Sequence, residues 1–382
     1  MNYSPSPEHP LSQAFPYFPP EEQEILIEEF RQILNGKLSM GPLVADFESR
    51  FASYCGADYA VAFPSCTSSL EVALQTLNVG PGDEVLVPVQ SFIATAMAVH
   101  LTGATPVFTE VSSQNFSLDF EDAWSKTGPN TKGAIVVHFG GHIASDLDIF
   151  CKKMKASGRF VVEDCAHAHG ARLKGRHAGT FGDAGCFSFY PTKMMTTCEG
   201  GMLITSNQDI AKMARSLQNR GQDMDSTEGI YVLPGRNNRV SEIAAAMGVS
   251  QLRCLDNYLE KRRQVAAIYE QLLLEGGTYS PLVHHESVLP SYWKYIAVSE
   301  DSFDRRRLQM MLLEDGIAVN GAYSPPLHLQ PVCQELFGCR PGMLPFSEDL
   351  MERHLCLPIH QNMRPIDAEY VIDRLLTHSQ AL

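Results

Sequence analysis

Closely spaced cysteines are missing from this sequence. Its ten cysteines are scattered as singles, with no C-x-x-C among them. That excludes the usual zinc and iron–sulfur spacings, and no metal site is expected. Isolated cysteines instead fit reduced thiols in a cytoplasmic protein, mostly serving as small buried hydrophobes. Basic residues are also scarce: 30 Lys and Arg against 44 Asp and Glu leave a net charge of −14. An acidic chain repels phosphate backbones, which argues against nucleic acid as a partner. The one basic run, Arg305-Arg306-Arg307, sits in a helical pattern and reads as a solvated face. Long apolar runs are lacking too. The most apolar segment, Phe92 to Phe108, carries His100 and several threonines and is too short to span a bilayer. The first residues contain prolines but neither a basic n-region nor an apolar core, so no signal peptide is expected. No internal repeat or low-complexity run stands out.

What is present is a large, ordinary globular composition: 382 residues, 44% hydrophobic and 19% charged. At ~150 residues per domain this suggests two or three domains. Residues 1–40 read as an arm, Pro-rich to Pro20 and then an amphipathic helix over 21–36. A second helix covers 44–56 and ends at Gly56. Strand and helix patterns then alternate. Strands are expected at 59–63, 83–89, 105–111, 133–139, 159–166, 185–190 and 201–205, with helices at 68–79, 92–103 and 145–158 between them. Repeated strand–helix units with continuously apolar strands argue an α/β fold, a parallel or mixed sheet covered on both faces. From Ser241 the pattern changes. One long helix, or two joined, runs to Gly276. A strand at 292–298, a helix at 305–316, a strand at 317–323 and a last helix at 367–376 follow. The division expected is therefore an arm at 1–40, a large α/β domain at 41–250, and a linking helix with a smaller α+β domain at 251–382.

Chemistry gathers at the carboxyl ends of the expected strands, where ligands collect in such sheets. "FSFYPTKMMTTCEGG", Phe187 to Gly201, places Lys193 among apolar residues and hydroxyls, and lysine is rarely buried without a reason. "PSCTSS" follows a strand and opens a helix, so Thr67, Ser68 and Ser69 offer hydroxyls and N–H groups to a phosphate. Alone it would be an ordinary N-cap. "VVEDCAHAHG" puts Asp164 just past a buried strand, and Phe92 stands at another strand end. Together these meet the needs of pyridoxal phosphate: a lysine for a Schiff base, a carboxylate for the ring nitrogen, a phosphate cradle and a flat group against the ring.

Ten stretches in order sharpen this: "GPLVADFE", "SCTSSL", "VGPGDEVLVPVQSFIATA", "GATPVF", "VVEDCAHAHGA", "GDAGCFSFYPTK", "EGGMLIT", "RNNRVSEIAAAMGVSQL", "LHLQP" and "LCLPIH". In these the chain resembles the DegT/DnrJ/EryC1/StrS sugar aminotransferases, from about Leu38 to Leu376. The resemblance implies a fold-type-I (aspartate-aminotransferase-like) enzyme with a seven-stranded, mostly parallel sheet. It implies that Lys193 forms the internal aldimine, Asp164 pairs with the pyridine nitrogen and Phe92 stacks on the ring. His167 falls near the ring hydroxyl, and Thr67, Ser68 and Ser188 on the phosphate. Asn237 would reach the phosphate from the partner subunit, making the protein a homodimer with a shared active site. The implied reaction moves an amino group from glutamate or glutamine, through pyridoxamine phosphate, to the carbonyl of an oxidised sugar.

Cys66 stands where the family usually has Gly, and "VHFGG" and "GRNNR" depart from its usual residues. Arg236 and Arg239, reaching in from the neighbouring subunit, and Tyr323 and His328 are candidate substrate contacts, with surface or interface salt bridges and a structural histidine as the plainer readings. The default acceptor is a nucleotide-linked keto-sugar. A sugar-acid aldehyde, such as an 8-oxo octulosonate of the Kdo type, would give the arginines an anion to bind. The related deoxysugar dehydratases replace the Schiff-base lysine with histidine, so Lys193 argues against that reaction. The intact cofactor positions argue against a non-catalytic regulatory relative.

Overall fold

A seven-stranded sheet organises the computed structural model, which describes residues 5–12, 14–226, 228–282 and 284–381. The first four residues of the expected arm lie outside these. The strands are β1 Tyr59–Phe63, β2 Glu84–Pro88, β3 Thr105–Thr109, β4 Thr131–Val137, β5 Phe160–Asp164, β6 Ala184–Ser188 and β7 Gly201–Thr205. Their order is β1-β7-β6-β5-β4-β2-β3. Neighbours from β6 to β3 run parallel, and β7 is antiparallel to both β6 and β1. All seven were expected from the sequence, and the mostly parallel α/β fold with them.

The side-chain period of two divides the core. Ala60, Ala62, Val161, Met202 and Ile204 join one apolar cluster. Their strand neighbours Val61, Phe63, Val162 and Leu203 join another on the opposite face. Both faces are dry because helices cover both, as parallel sheets require. Each fully buried Val, Leu, Ile or Phe contributes roughly 1.5–3 kcal/mol.

A smaller antiparallel sheet of β8 Tyr279–Pro281, β9 Tyr295–Ser299 and β10 His354–Leu357 forms the C-terminal part. Helices Arg305–Glu314 and Pro365–Ser379 pack their apolar residues into its core. The strand expected at 317–323 is absent. Ile317 and Asn320 make only isolated bridges, to Leu11 and Cys356. The chain there leaves the sheet, and Tyr323 has φ +57°. Short helices at Phe120–Ser125, Pro331–Phe337 and Pro345–Glu352 were not expected; none is long enough to display a helical period.

Helices α1 Pro20–Leu34, α2 Pro42–Cys55, α3 Cys66–Thr76 and α4 Ile93–Leu101 precede one continuous helix, α5 Glu242–Gly276. The division expected between residues 250 and 251 thus falls inside α5. Its early residues Val249, Leu255 and Leu259 pack under the large sheet. Its later ones, Val265, Tyr269 and Leu273, pack under the small sheet. The arm is docked: Glu22 in α1 pairs with Arg253 and accepts a bond from Ser250, both on α5. No helix among the described residues is long and apolar enough to cross a membrane.

One carboxylate joins distant segments. Glu242, in the first turn of α5, accepts bonds from the backbone N–H groups of Gly41, Leu43 and Val44 at 2.9–3.0 Å. It caps the N-terminus of α2, and Gly41 at the entry leaves room for it. A Cβ on Gly41 would lie 2.7 Å from that carboxylate. Glu242→Ala strands two buried donors and one half-buried one and is expected to cost about 3 kcal/mol, read as a lower urea midpoint at unchanged slope. Unaltered melting would show that this cap does not hold the joint.

Candidate active site

A cavity of about 580 Å³ opens at the carboxyl ends of the parallel strands, within the size range of cofactor and ligand sites. The large domain lines it with Ser65, Cys66 and Thr67, with Phe92 and Thr95, with Asp164 and His167, and with Ser188 and Lys193. The small domain contributes Trp293, Lys294, Asn320 and Tyr323.

Lys193 lies in the loop after β6, where its backbone N–H bonds Tyr190 O at 2.9 Å. The residue is half-buried along its length, but its amine is enclosed and lies 4.3 Å from the centre of the Trp293 ring. Burial lowers the Lys193 pKa to about 8, against opposing pulls from Asp164 and Cys66. The small-domain wall is tied to this loop, because Trp293 Nε1 donates to Thr192 O at 2.7 Å.

Asp164 is the last residue of β5. Burial raises its pKa, although Thr95 Oγ1 donates to Oδ2 at 2.8 Å and Ala166 N–H to Oδ1 at 3.1 Å. Thr95 is itself held by Ser91, 2.5 Å away. The neighbouring Glu163 points to the other face of the sheet. Burial would raise its pKa, but His138 at 2.8 Å and the N–H groups of Gly179, Phe181 and Gly182 hold it below the usual carboxylate value. That carboxylate is a structural hub. His138, Glu163 and Cys165 cluster closely, yet the Glu163 oxygens are already committed to these four donors.

His167 stacks on Trp293, with ring centres 3.6 Å apart, and its Nε2 lies 2.9 Å from Tyr323 Oη. Burial first, then Lys193 and Lys294, push its pKa well down, so it is a neutral imidazole. Its Nδ1 is buried without a hydrogen-bond partner. Phe92 is 55% exposed at the cavity edge, 5.7 Å from the Tyr323 ring.

The remaining expected residues separate. Ser188 lines the cavity. Thr67 does too, and beside it stands Ser65, the N-cap of α3, which accepts from Ser68 N–H. Ser68 itself lies behind, its hydroxyl 3.0 Å from that of Ser65. Asn237 is exposed and pairs through its backbone with Asn219, away from this chain's own cavity. Arg236 pairs with Glu71, and Arg239 donates to Asn219. His328 is buried against Glu348 at 2.8 Å and does not line the cavity. Thr95, Trp293, Lys294 and Asn320 escaped the sequence reading. The argument that singled out Lys193, a lysine inside an apolar run, applies equally to Lys294 in "YWKYIAV" and was the available signal.

Pyridoxal phosphate fits this site. An enclosed amine stands near a buried carboxyl whose raised pKa a protonated ring nitrogen would relieve. A helix N-terminus with hydroxyls adjoins, suited to a phosphate. The unpartnered His167 nitrogen offers a bond to a ring substituent. The cradle is tight: a Cβ on Gly201 would lie 2.4 Å from the backbone of Ser65. Removing the Thr95 hydroxyl leaves one Asp164 oxygen unsupported. Thr95→Val is therefore expected to weaken cofactor binding about tenfold in an absorbance titration, with the fold intact by circular dichroism.

The sequence and the fold have close counterparts. Spore coat polysaccharide biosynthesis protein SpsC of Bacillus subtilis is 33% identical over 378 residues, 96% of each chain. GDP-perosamine synthase of Caulobacter vibrioides is 33% identical, over 88% of this chain and 90% of its own. The crystal structure of S. venezuelae DesV in complex with a ketimine intermediate superposes with a TM-score of 0.88 at 31% identity, covering 96% of this chain and 99% of that one. The family profile matches residues 20–376. From the enclosed amine of Lys193 to nearly the whole length of the chain, fold and sequence agree, and the protein belongs to the DegT/DnrJ/EryC1/StrS aminotransferase family, whose cofactor is pyridoxal phosphate.

Proposed function

We propose that this enzyme moves the amino group of glutamate, or of glutamine, to the carbonyl of an oxidised sugar, by default a nucleotide-linked keto-sugar. The observation that carries the reading is the enclosed Lys193 amine beside the buried Asp164 carboxyl, in a cavity with room for cofactor and substrate. The names of relatives support a nucleotide-sugar acceptor; one is a GDP-perosamine synthase. The arginines that favoured a sugar-acid acceptor would act on the neighbouring subunit's site, and Arg236, already paired with Glu71 in its own chain, supports that reading less.

Pyridoxal phosphate, when bound, supplies a carbonyl that captures amines and a ring that draws electrons from the carbon losing its proton. The protein's part is positional and electrostatic. Asp164, steadied by Thr95, favours a protonated ring nitrogen. Thr67, Ser188 and the start of α3, with Ser68 behind, suit the phosphate. Phe92 and His167, which line the cavity, would flank the ring and its hydroxyl. With a pKa near neutrality, Lys193 Nζ can both take and return a proton, and such positioned acid–base catalysis is worth ~10²–10⁴ in rate.

We also propose a homodimer in which Asn237 of each subunit completes the other's site. The surrounding segment supports this, because Met224, Ile230, Tyr231 and Val232 are all exposed apolar residues on it. Light scattering that returned only the monomer mass would remove this part.

The first test is visible absorbance. Cofactor added to the protein should give a yellow band that L-glutamate bleaches, and Lys193→Ala should give none. A band indifferent to glutamate and glutamine would refute the donor assignment. A wild-type protein with no band would refute the whole reading. The pH dependence follows from the lowered pKa. Below about 8 the Lys193 amine is protonated and cannot attack, so the rate of band growth should rise with pH and level off above about 8. An ordinary lysine would keep gaining to about 10.4.

A further inference from the structure

Tyr323 reaches the cavity wall with a hydroxyl hydrogen that its hydrogen bond to His167 does not use up. The hydroxyl lies 2.9 Å from His167 Nε2, and by distance alone either group could be the donor. The imidazole decides between them. Burial first, then Lys193 and Lys294, hold its pKa well down, so the ring is neutral and carries one proton on one nitrogen. The other nitrogen, Nδ1, is buried and has no hydrogen-bond partner. If the phenol donated to Nε2, the imidazole proton would sit on Nδ1 as an enclosed N–H with nothing to bind. With the proton on Nε2, that nitrogen donates to Tyr323 Oη and Nδ1 keeps only a lone pair. Stranding the lone pair is the lesser cost: buried N–H groups without partners are rarer in folded proteins than under-used acceptors.

The phenol hydrogen is then left over. Around it stand aromatic rings. The ring centres of Phe92, His167, Phe139 and Trp293 lie 5.7, 5.7, 5.9 and 6.3 Å from that of Tyr323. Among the described residues its hydroxyl has no second hydrogen-bond partner. Tyr323 is half-buried and lines the cavity, so the hydrogen has the cavity to point into. Burial pushes its pKa up, which keeps that hydrogen in place at neutral pH. The residue is held there at φ +57°, a region that bulky side chains seldom adopt and that gathers at functional sites.

We propose that Tyr323 donates a hydrogen bond to the ring oxygen of bound pyridoxal phosphate, and that His167 Nε2–H holds the phenol for this. The assignment rests on the transamination reading and deepens it. In the cofactor the ring oxygen is on the carbon next to the one that bears the aldehyde, so it lies close to the bond that Lys193 forms. Lys193 Nζ is 4.3 Å from the centre of the Trp293 ring, and Tyr323 packs beside that same ring. The phosphate arm leaves the opposite edge of the cofactor ring, toward the start of α3, and does not compete for this donor. His167 is then a positioning residue, acting through the phenol.

Two measurements test the assignment. In protein labelled with 15N-histidine, the His167 signals, identified by their loss in His167→Gln, are expected to show Nε2 protonated in the cofactor-free protein. A proton on Nδ1 would overturn the proposal. In the second, pyridoxal phosphate and 3-deoxypyridoxal phosphate, which lacks the ring oxygen, are titrated by absorbance into wild type and variants. Tyr323→Phe is expected to weaken the natural cofactor about tenfold and leave the deoxy analogue unchanged. His167→Gln, whose amide can donate in the same place, is expected to keep most of the difference between the two cofactors, and His167→Phe to abolish it. Equal losses for both cofactors would mean that Tyr323 only packs. No loss for either would leave its hydroxyl to the substrate. Each of those results refutes the bond to the ring oxygen. The transamination reading fails separately, if the wild type forms no visible band with the cofactor, whatever the His167 tautomer.

Discussion

Two ionisable groups, the Lys193 amine and the Asp164 carboxyl, are held out of water at the ends of β6 and β5. The rest of the structure answers that constraint. Desolvation disfavours both charged forms, lowering one pKa and raising the other. In ordinary folding this would be a defect. Here it gives an amine that becomes a nucleophile from about pH 8, well below an ordinary lysine, and a carboxyl ready to meet a cation. The cost is tolerable because the sheet beneath is dry on both faces and rigid, with apolar clusters above and below it.

Rigidity alone does not place the carboxyl. Thr95 and Ser91 form a short chain of hydroxyls that fixes one Asp164 oxygen, and the Ala166 amide fixes the other. One residue earlier, Glu163 is bound by His138 and three amides on the opposite face. Adjacent acids thus divide between structure and chemistry, because successive strand residues face opposite ways. Glu163 secures the turn that leads into β6, and β6 leads into the lysine loop.

The small domain closes the site from outside the sheet. α5 carries it: one helix is buried first in the large core and then in the small one, so the two parts share an element and not merely a surface. Trp293 completes the joint through its bond to Thr192 and its stack on His167. The bend at 317–323, read as a strand from its apolar run, brings Asn320 and Tyr323 to the cavity. A regular strand there would have kept its backbone in the sheet and its side chains at period two.

The amino-acid sequence by itself determined the seven strands, the long helix and the ends at which Lys193, Asp164, Thr67 and Ser188 emerge. These depend on short-range periodicity and on strand-to-helix connections, which neighbouring residues encode. It also gave the family, through motifs carried on those same connections. What only the tertiary structure decided is which residues face one another. Trp293 meets a loop 101 residues away. Arg236 is drawn to Glu71, and His328 is drawn to Glu348 and does not line the cavity that its sequence neighbourhood suggested. Lys294 looked like one more strand residue until packing turned its amine toward the cavity. Long-range contact leaves no period in a single sequence, since its partners are set by how whole elements dock.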